Sequence, residues 1–236
     1  MSGYTVPDFL DYWRKEGESY AKHGDYDWMA SLIPGRRVLE IGCGLGFGTV
    51  ALAKRGVAVL AIDSMTECLE ATRERLGTIP DADVTLLEAD ITAMSGATRG
   101  AIETFAPDAV ACWLMGAPSE VTGAGGADGN QAVIAYREKI HRLVAELAAG
   151  IPTVQALHLV DRTAIPWQAK DIGRDTLVGY HLGKTFADLP FKAERKNALY
   201  RKLEGAEPGL AGIRRSHPSL KSVVPTLASL VAERKH

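Results

Sequence analysis

Val38-Leu39-Glu40-Ile41-Gly42-Cys43-Gly44-Leu45-Gly46-Phe47-Gly48 decides how this 236-residue chain is read. A short strand-like run carrying one acid enters a row of alternating glycines, and a helix-like segment, Thr49 to Arg55, follows. Glycine takes φ > 0 without strain and lets a ligand lie directly on the main chain. Strand, glycine loop and helix in that order make the first βα turn of a doubly wound α/β domain, where adenosine-type ligands sit.

Working outward, apolar runs alternate with helix-like segments, the pattern of βαβ units around a parallel sheet. The expected strands are Arg37 to Ile41, Ala58 to Ile62, Val84 to Glu88, Ala109 to Leu114 and Thr153 to Val160. They are short and apolar, as strands covered on both faces must be. Lys54-Arg55-Gly56 reads as a basic last turn with a closing glycine. Ser64-Met65-Thr66-Glu67 has capping-box spacing, and Gly77 closes that helix. Val133, Tyr136, Ile140, Leu143, Val144 and Leu147 recur at helical spacing and read as core, with Gly150 and Pro152 ending the helix.

After Asp161 the pattern changes. Phe191 to Leu203 alternates as an exposed strand does, and Leu227 to Ala232 reads as a last apolar strand with Pro225 just before it. Two late strands joined by Glu204 to Lys221 suggest a terminal antiparallel pair. The segment Pro7 to Leu32, with Tyr12, Trp13, Tyr20, Tyr26 and Trp28, reads as one or two helices lying over the ligand end of the sheet. The expectation is one domain over residues 1–236, divided into a helical cover (1–35), a core (36–160) and a later segment with the terminal strands (161–236).

The chain is 46% apolar and 24% charged, the make-up of an ordinary globular domain. No apolar run approaches the roughly 18 to 20 residues that cross a bilayer, so no membrane partner is expected. Met1-Ser2-Gly3-Tyr4 lacks the basic-then-apolar plan of a secretory signal. Three cysteines without a C-x-x-C pair argue against a disulfide framework, and a reducing cytoplasm is the expected location. The net charge of −2 is uneven: from Lys184 onward 11 Lys+Arg face 5 Asp+Glu, giving +6 and leaving −8 for residues 1–183. Such a section attracts nucleic acid or an anionic substrate. It also reads as a solvated sheet edge, which is preferred because no aromatic–basic interleaving accompanies it.

A dinucleotide fingerprint, G-x-G-x-x-G, requires glycine at position 47, which is Phe47. The loop is instead Glu40-x-Gly42-x-Gly44-x-Gly46, with a carboxylate that repels a pyrophosphate and suits an ammonium group. The run Val38 to Gly46 resembles motif I of the class I S-adenosylmethionine-dependent methyltransferases. That resemblance implies a Rossmann-like, mostly parallel seven-stranded sheet with a terminal antiparallel pair whose last strand inserts beside the fifth. It implies S-adenosyl-L-methionine as cofactor, with Glu40, Gly42, Cys43, Gly44 and Gly46 along its amino-acid and ribose parts. Asp63, ending the second strand, matches the family's carboxylate on the ribose hydroxyls; an NAD-binding domain places an acid there too. Asp90 matches the contact to the adenine amino group, with Ser64, Met65 and Ile91 beside the ring. Tyr20 and Trp113 complete the expected cofactor set. The resemblance covers roughly residues 36 to 160.

The acceptor side is less defined. In amino-methylating nucleic-acid enzymes of the family the fourth strand ends in an Asn/Asp-Pro-Pro-Tyr-like motif; here it ends Trp113-Leu114-Met115-Gly116-Ala117-Pro118, without that acceptor. Trp113 reads equally as a wall of the site or as core. The glycine-rich loop 116–131 reads as a lid or an insertion, and Asn130 as a hydrogen-bonding group or a helix N-cap. His158, Asp161 and His181 are candidate bases, although His158 among apolar neighbours reads first as a core histidine. His23 is placed to approach the substrate or the methionine carboxylate. No spacing of His, Asp or Glu suggests a metal. The expected activity is methyl transfer to an oxygen or nitrogen of a small molecule. Methylation of RNA or a protein side chain, or a non-catalytic regulatory module, stands as the alternative.

Overall fold

Eight strands and eight helices follow one another in a computed structural model that describes residues 5–122, 129–204 and 223–235, without the side chains of 119, 120, 129 and 130. Two helices come first, α1 (Val6–Lys22) and α2 (Asp25–Leu32). Thr5 and Asp8 cap α1 reciprocally: the Thr5 hydroxyl accepts from the Asp8 N–H, and the Asp8 carboxylate accepts from the Thr5 N–H. Then β1 (Arg37–Ile41), α3 (Phe47–Lys54), β2 (Ala58–Asp63), α4 (Thr66–Leu76), β3 (Val84–Glu88), α5 (Gly96–Phe105) and β4 (Ala109–Trp113) alternate. The short α6 (Ser119–Thr122) and the long α7 (Gly129–Gly150) lead to β5 (Ala156–Pro166), followed by α8 (Lys170–Gly183). The chain closes with β6 (Phe191–Lys192), β7 (Ala198–Lys202) and β8 (Val223–Arg234).

The sheet order is β3-β2-β1-β4-β5-β8-β6, with β7 also on β8. β1 to β5 are parallel, and β8 runs antiparallel beside β5. The last strand therefore does insert beside the fifth. Both β6 and β7 pair with β8, at Phe191↔Arg234 and at Ala198↔Leu230, so they are two pieces of one edge and the sheet has seven positions.

Every residue of β4 is buried, as are four of the five in β1, because helices cover both faces. One apolar cluster joins α1 to α4 with one face through Tyr20, Met29, Leu52, Val59 and Leu69. The other joins α5 and α7 to the opposite face through Ile102, Ile140, Val144, Leu157 and Phe191, with α8 packing against it through Leu177 and Val178. The carbonyls at the end of α7 have no partner within the helix. Arg234, at the end of β8, supplies one: its guanidinium donates to the carbonyls of Ala148 at 2.7 Å, Ile151 at 2.9 Å and Val154 at 2.6 Å.

Several boundaries differ from the sequence reading. α3 begins at Phe47, two residues before the expected start. The capping box at Ser64–Glu67 does not form; Met65 is the N-cap and makes no side-chain cap bond. Its N–H is taken instead by the Asp63 carboxylate at 3.0 Å. The expected strand Phe191 to Leu203 is broken by a 3₁₀ turn at Arg195–Asn197, where Glu194 and Asn197 cap each other. β5 extends to Pro166 and β8 begins at Val223, because the two pair over 11 residues. Pro225 consequently lies within β8, where its missing N–H falls at the end of the β7 ladder, whose last pair is Lys202↔Thr226. The helix α8 was not expected. No helix among the described residues is long and apolar enough to cross a membrane.

Candidate functional site

The glycine loop turns on three left-handed residues, Gly42 (φ +77°), Gly44 (φ +53°) and Gly46 (φ +82°). Gly42 donates to the Ile62 carbonyl at 2.8 Å, extending the β1–β2 ladder by one bond before the chain leaves the sheet. Gly44 then donates to Asp63 Oδ2 at 2.8 Å, while Asp63 Oδ1 accepts from Met65. One carboxylate at the end of β2 thus shapes the loops after both β1 and β2. Burial pushes the Asp63 carboxyl upward in pKa against the lowering effect of these N–H groups.

The three glycines have different surroundings. A Cβ on Gly44 meets no atom within 4 Å, so the main chain there is open to a ligand. A Cβ on Gly46 falls 2.7 Å from Thr72 Cα on α4, so Gly46 serves close packing. Gly48 leaves room for Glu40 Oε1, 2.6 Å from the place a Cβ takes, and for the Trp113 ring.

A cavity of about 220 Å³ opens over this loop. Gly42, Gly44, Asp63, Ser64, Met65, Asp90 and Ile91 all line it, bringing together residues from the ends of β1, β2 and β3. Asp90 is exposed, and its Oδ1 accepts from the Thr92 N–H at 2.7 Å and the Thr92 hydroxyl at 2.8 Å. A smaller recess on the far side of the loop collects Glu40, Cys43 and Trp113 with Tyr26 and Phe47. Glu40 is buried and accepts from the Thr49 hydroxyl at 2.6 Å. Desolvation, reinforced by the Asp63 charge, raises its pKa to about 8. A wider groove of about 660 Å³ between α5 and α7 contains none of the loop's glycines.

Other expected residues lie elsewhere. Tyr20 is buried and donates to Glu16 Oε2 at 2.7 Å, while Arg162 pairs with Glu16 and donates to the Tyr20 hydroxyl. This group ties α1 to the end of β5 and lines neither recess. His23 ends α1 with Nδ1 on the Ser19 carbonyl, 2.8 Å away. His158 is fully buried between Trp113 and Ser229, the core position its neighbours suggested. Asp161 faces Arg137 (3.3 Å) and His141 (3.7 Å) on α7. His181 is buried against Thr185. Asn130 belongs to the first turn of α7, but its side chain and positions 123–128 of the expected lid lie outside the described residues.

The far wall comes from the N-terminal segment and the stretch after β4, which the sequence reading placed at this end without assigning their residues individually. Val6, Phe9 and Trp13 of α1, Met115 to Pro118 after β4, and Val121 of α6 line the cavity over the glycine loop. So do Tyr136 and Ile140 of α7, which had read purely as core. Their i, i+4 spacing was visible; the edge of the sheet they overhang was not.

A family model described as a methyltransferase domain matches residues 38–115, from β1 to just past β4. The part of the chain that carries the glycine loop thus matches a methyltransferase domain, which supports a class I S-adenosylmethionine-dependent methyltransferase. A protein-L-isoaspartate O-methyltransferase of Methylorubrum extorquens (strain PA1) is 45% identical over 49 residues, 21% of this chain and 22% of that protein. The match thus spans about a fifth of the curated relative. Among solved structures, TrmN from Thermus thermophilus superposes with a TM-score of 0.51 at 15% identity, over 91% of this chain and 48% of that one. The magnesium protoporphyrin IX methyltransferase of Synechocystis PCC 6803 with bound SAM gives 0.50 at 15% identity, over 100% and 87%. At such identity these two establish the methyltransferase fold alone.

Proposed function

We propose that this protein binds S-adenosylmethionine and transfers its methyl group to an oxygen or nitrogen of a small molecule. The observation that carries the reading is one continuous cavity from Gly42 and Gly44, past Asp63 and Asp90, to the apolar end of β4 and α1. The residues present fit the cofactor. The open main chain at Gly44 admits a ligand against the loop, and two carboxylates stand where hydroxyl and amino donors need acceptors. In this reading Asp63 holds the ribose hydroxyls, and Asp90 the adenine amino group, with Ser64, Met65 and Ile91 around the ring. Gly42, Cys43 and Gly44 lie along the methionine part, with Glu40 toward its ammonium group. Gly46 and Trp113 shape the loop from behind, and Tyr20 acts only by fixing α1.

When bound, the sulfonium supplies an already activated methyl group. The protein's own part is alignment: β4 and α1 hold an acceptor in line while the packed walls keep water out. Part of the basic charge of the C-terminal section is already engaged, which favours a small acceptor over a nucleic acid. Among the described residues, Arg195 pairs with Asp175, Lys196 with Glu194 and Arg201 with Asp25, and Arg234 is spent on α7 carbonyls.

Equilibrium binding of S-adenosylmethionine, followed by tritiated-methyl transfer to fractionated cell extract, tests this. Binding that disappears in Asp63→Ala and Asp90→Ala, with label in the small-molecule fraction, is the expected result. Unchanged affinity in both variants refutes the cofactor assignment. Label entering RNA or protein refutes the acceptor class, and binding without any transfer favours a regulatory module.

A further inference from the structure

The cavity over the glycine loop has two chemically different halves. One contains the glycines, Asp63 and Asp90. The other is walled by Phe9 and Trp13 from α1, Met115 and Pro118 after β4, Val121 from α6 and Tyr136 from α7. These come from four separate elements, so the wall is not a by-product of one amphipathic helix. Trp13 packs close over Gly116, 3.2 Å from the place a Cβ takes, and Phe9 meets the Trp13 ring edge-on at 6.3 Å. An aromatic pair therefore walls the cavity together with the thioether of Met115, which reaches across Gly42.

The two charged side chains that reach the cavity among the described residues are both carboxylates, Asp63 and Asp90. Their field disfavours a phosphate-bearing acceptor, while aromatic and aliphatic walls favour apolar surface. Tyr136 adds a hydroxyl that burial and the two carboxylates keep protonated, so the wall has a polar handle within an apolar frame.

Resting on the reading of the glycine half as the cofactor site, we infer that the Phe9–Trp13–Met115–Val121–Tyr136 half binds the apolar, aromatic body of a small uncharged acceptor. Val121, 61% exposed, marks the open rim through which such a molecule enters.

A series of 4-alkylphenols of growing chain length tests this, titrated calorimetrically into the full chain with and without S-adenosylhomocysteine. Each added methylene buried in the wall is expected to tighten binding about two- to fourfold. Val121→Glu, on an exposed position that folding tolerates, is expected to flatten the gradient while leaving S-adenosylhomocysteine affinity unchanged. Phe9→Ala is expected to weaken the whole series. A flat series on the S-adenosylhomocysteine complex, or one indifferent to both substitutions, overturns the inference and leaves the cofactor reading standing. Failure of S-adenosylhomocysteine to bind overturns the cofactor reading itself, and the inference with it.

Discussion

Trp113 Nε1 donates to His158 Nδ1 at 3.1 Å, between diagonal neighbours on β4 and β5. That bond fixes the tautomer: Nδ1 accepts, so Nε2 carries the proton and donates to Ser229 Oγ on β8 at 2.8 Å. The relay is fully buried, and it holds the indole against Gly48 behind the Glu40 carboxyl. Ser229→Ala leaves the His158 N–H without an acceptor and is predicted to cost about 1 to 3 kcal/mol. In a chain of this size that lowers Tm by roughly 2 to 12 °C. A Tm within a degree of wild type in thermal unfolding would discount the relay.

Glu40 gives a prediction about protons. With a pKa near 8 the carboxyl is mostly protonated at pH 7 in the free protein. A ligand presenting an ammonium group draws it to the carboxylate, so S-adenosylmethionine binding is expected to release a proton between about pH 5 and 8. Calorimetric enthalpies measured in phosphate and in Tris should then differ, and Glu40→Gln should abolish the difference. Identical enthalpies for wild type in both buffers would refute the pairing. The stability linkage of the free protein has a definite sign. A folded pKa raised above the ordinary 4.5 contributes stability that is complete below pH 4.5 and lost as pH rises through 8.

The buried histidines act in the opposite direction on the acid side. Burial holds His158 and His181 down to about pKa 3, and lowers His141 as well. The unfolded chain therefore takes up protons first, so the contribution is present above pH 6.5 and is lost as pH falls toward 3. For His158 and His181 the loss is roughly 1 kcal/mol each for every pH unit below 6.5. Denaturant unfolding at pH 7.5 and 5.0 reads the sum, and His158→Gln with His181→Gln should blunt it. Because Glu40 acts the other way over this range, the comparison is made between variants: an unchanged pH dependence in the double variant would contradict the burial of neutral imidazoles.

Gly44 and Gly46 share a motif and a left-handed backbone but are predicted to fail differently when replaced. Gly44→Ala places its methyl in open space and costs about 1 to 2 kcal/mol for the left-handed backbone alone, while obstructing a ligand on the loop. Gly46→Ala adds a collision with the Thr72 backbone and should destabilise the fold further. Unfolding midpoints and S-adenosylmethionine affinity, measured together, separate the two. Equal loss of stability in both variants would argue against this division of labour.

What could be read from residues was local. The loop after β1, the acid closing β2 and Asp90 after β3 follow one another at βαβ spacing, and the structure draws them into one cavity. That the N-terminal segment covers the ligand end was legible, but which of its aromatics reach the cavity was not, since Trp13 differs from Trp28 in nothing that composition or periodicity reports. Its place depends on the α1–β5 tie of Glu16, Tyr20 and Arg162, which joins residues about 145 positions apart in sequence. Tyr136 and Ile140 fitted a core stripe so well that their position over the open edge was hidden. The break between β6 and β7 arises from side-chain capping at Glu194 and Asn197, which interrupts an otherwise continuous alternation.

The most C-terminal of the described strands is an interior strand. β8 fills the gap between β5 and the β6–β7 edge, so until residues 223–234 emerge the whole 11-residue flank of β5 has no partner on that side. A nascent or C-terminally clipped chain thus presents a long, ready template for pairing with another molecule. Residues 223–234 must be made before the sheet can close, so a chain cut short of them loses an interior strand and not a peripheral one.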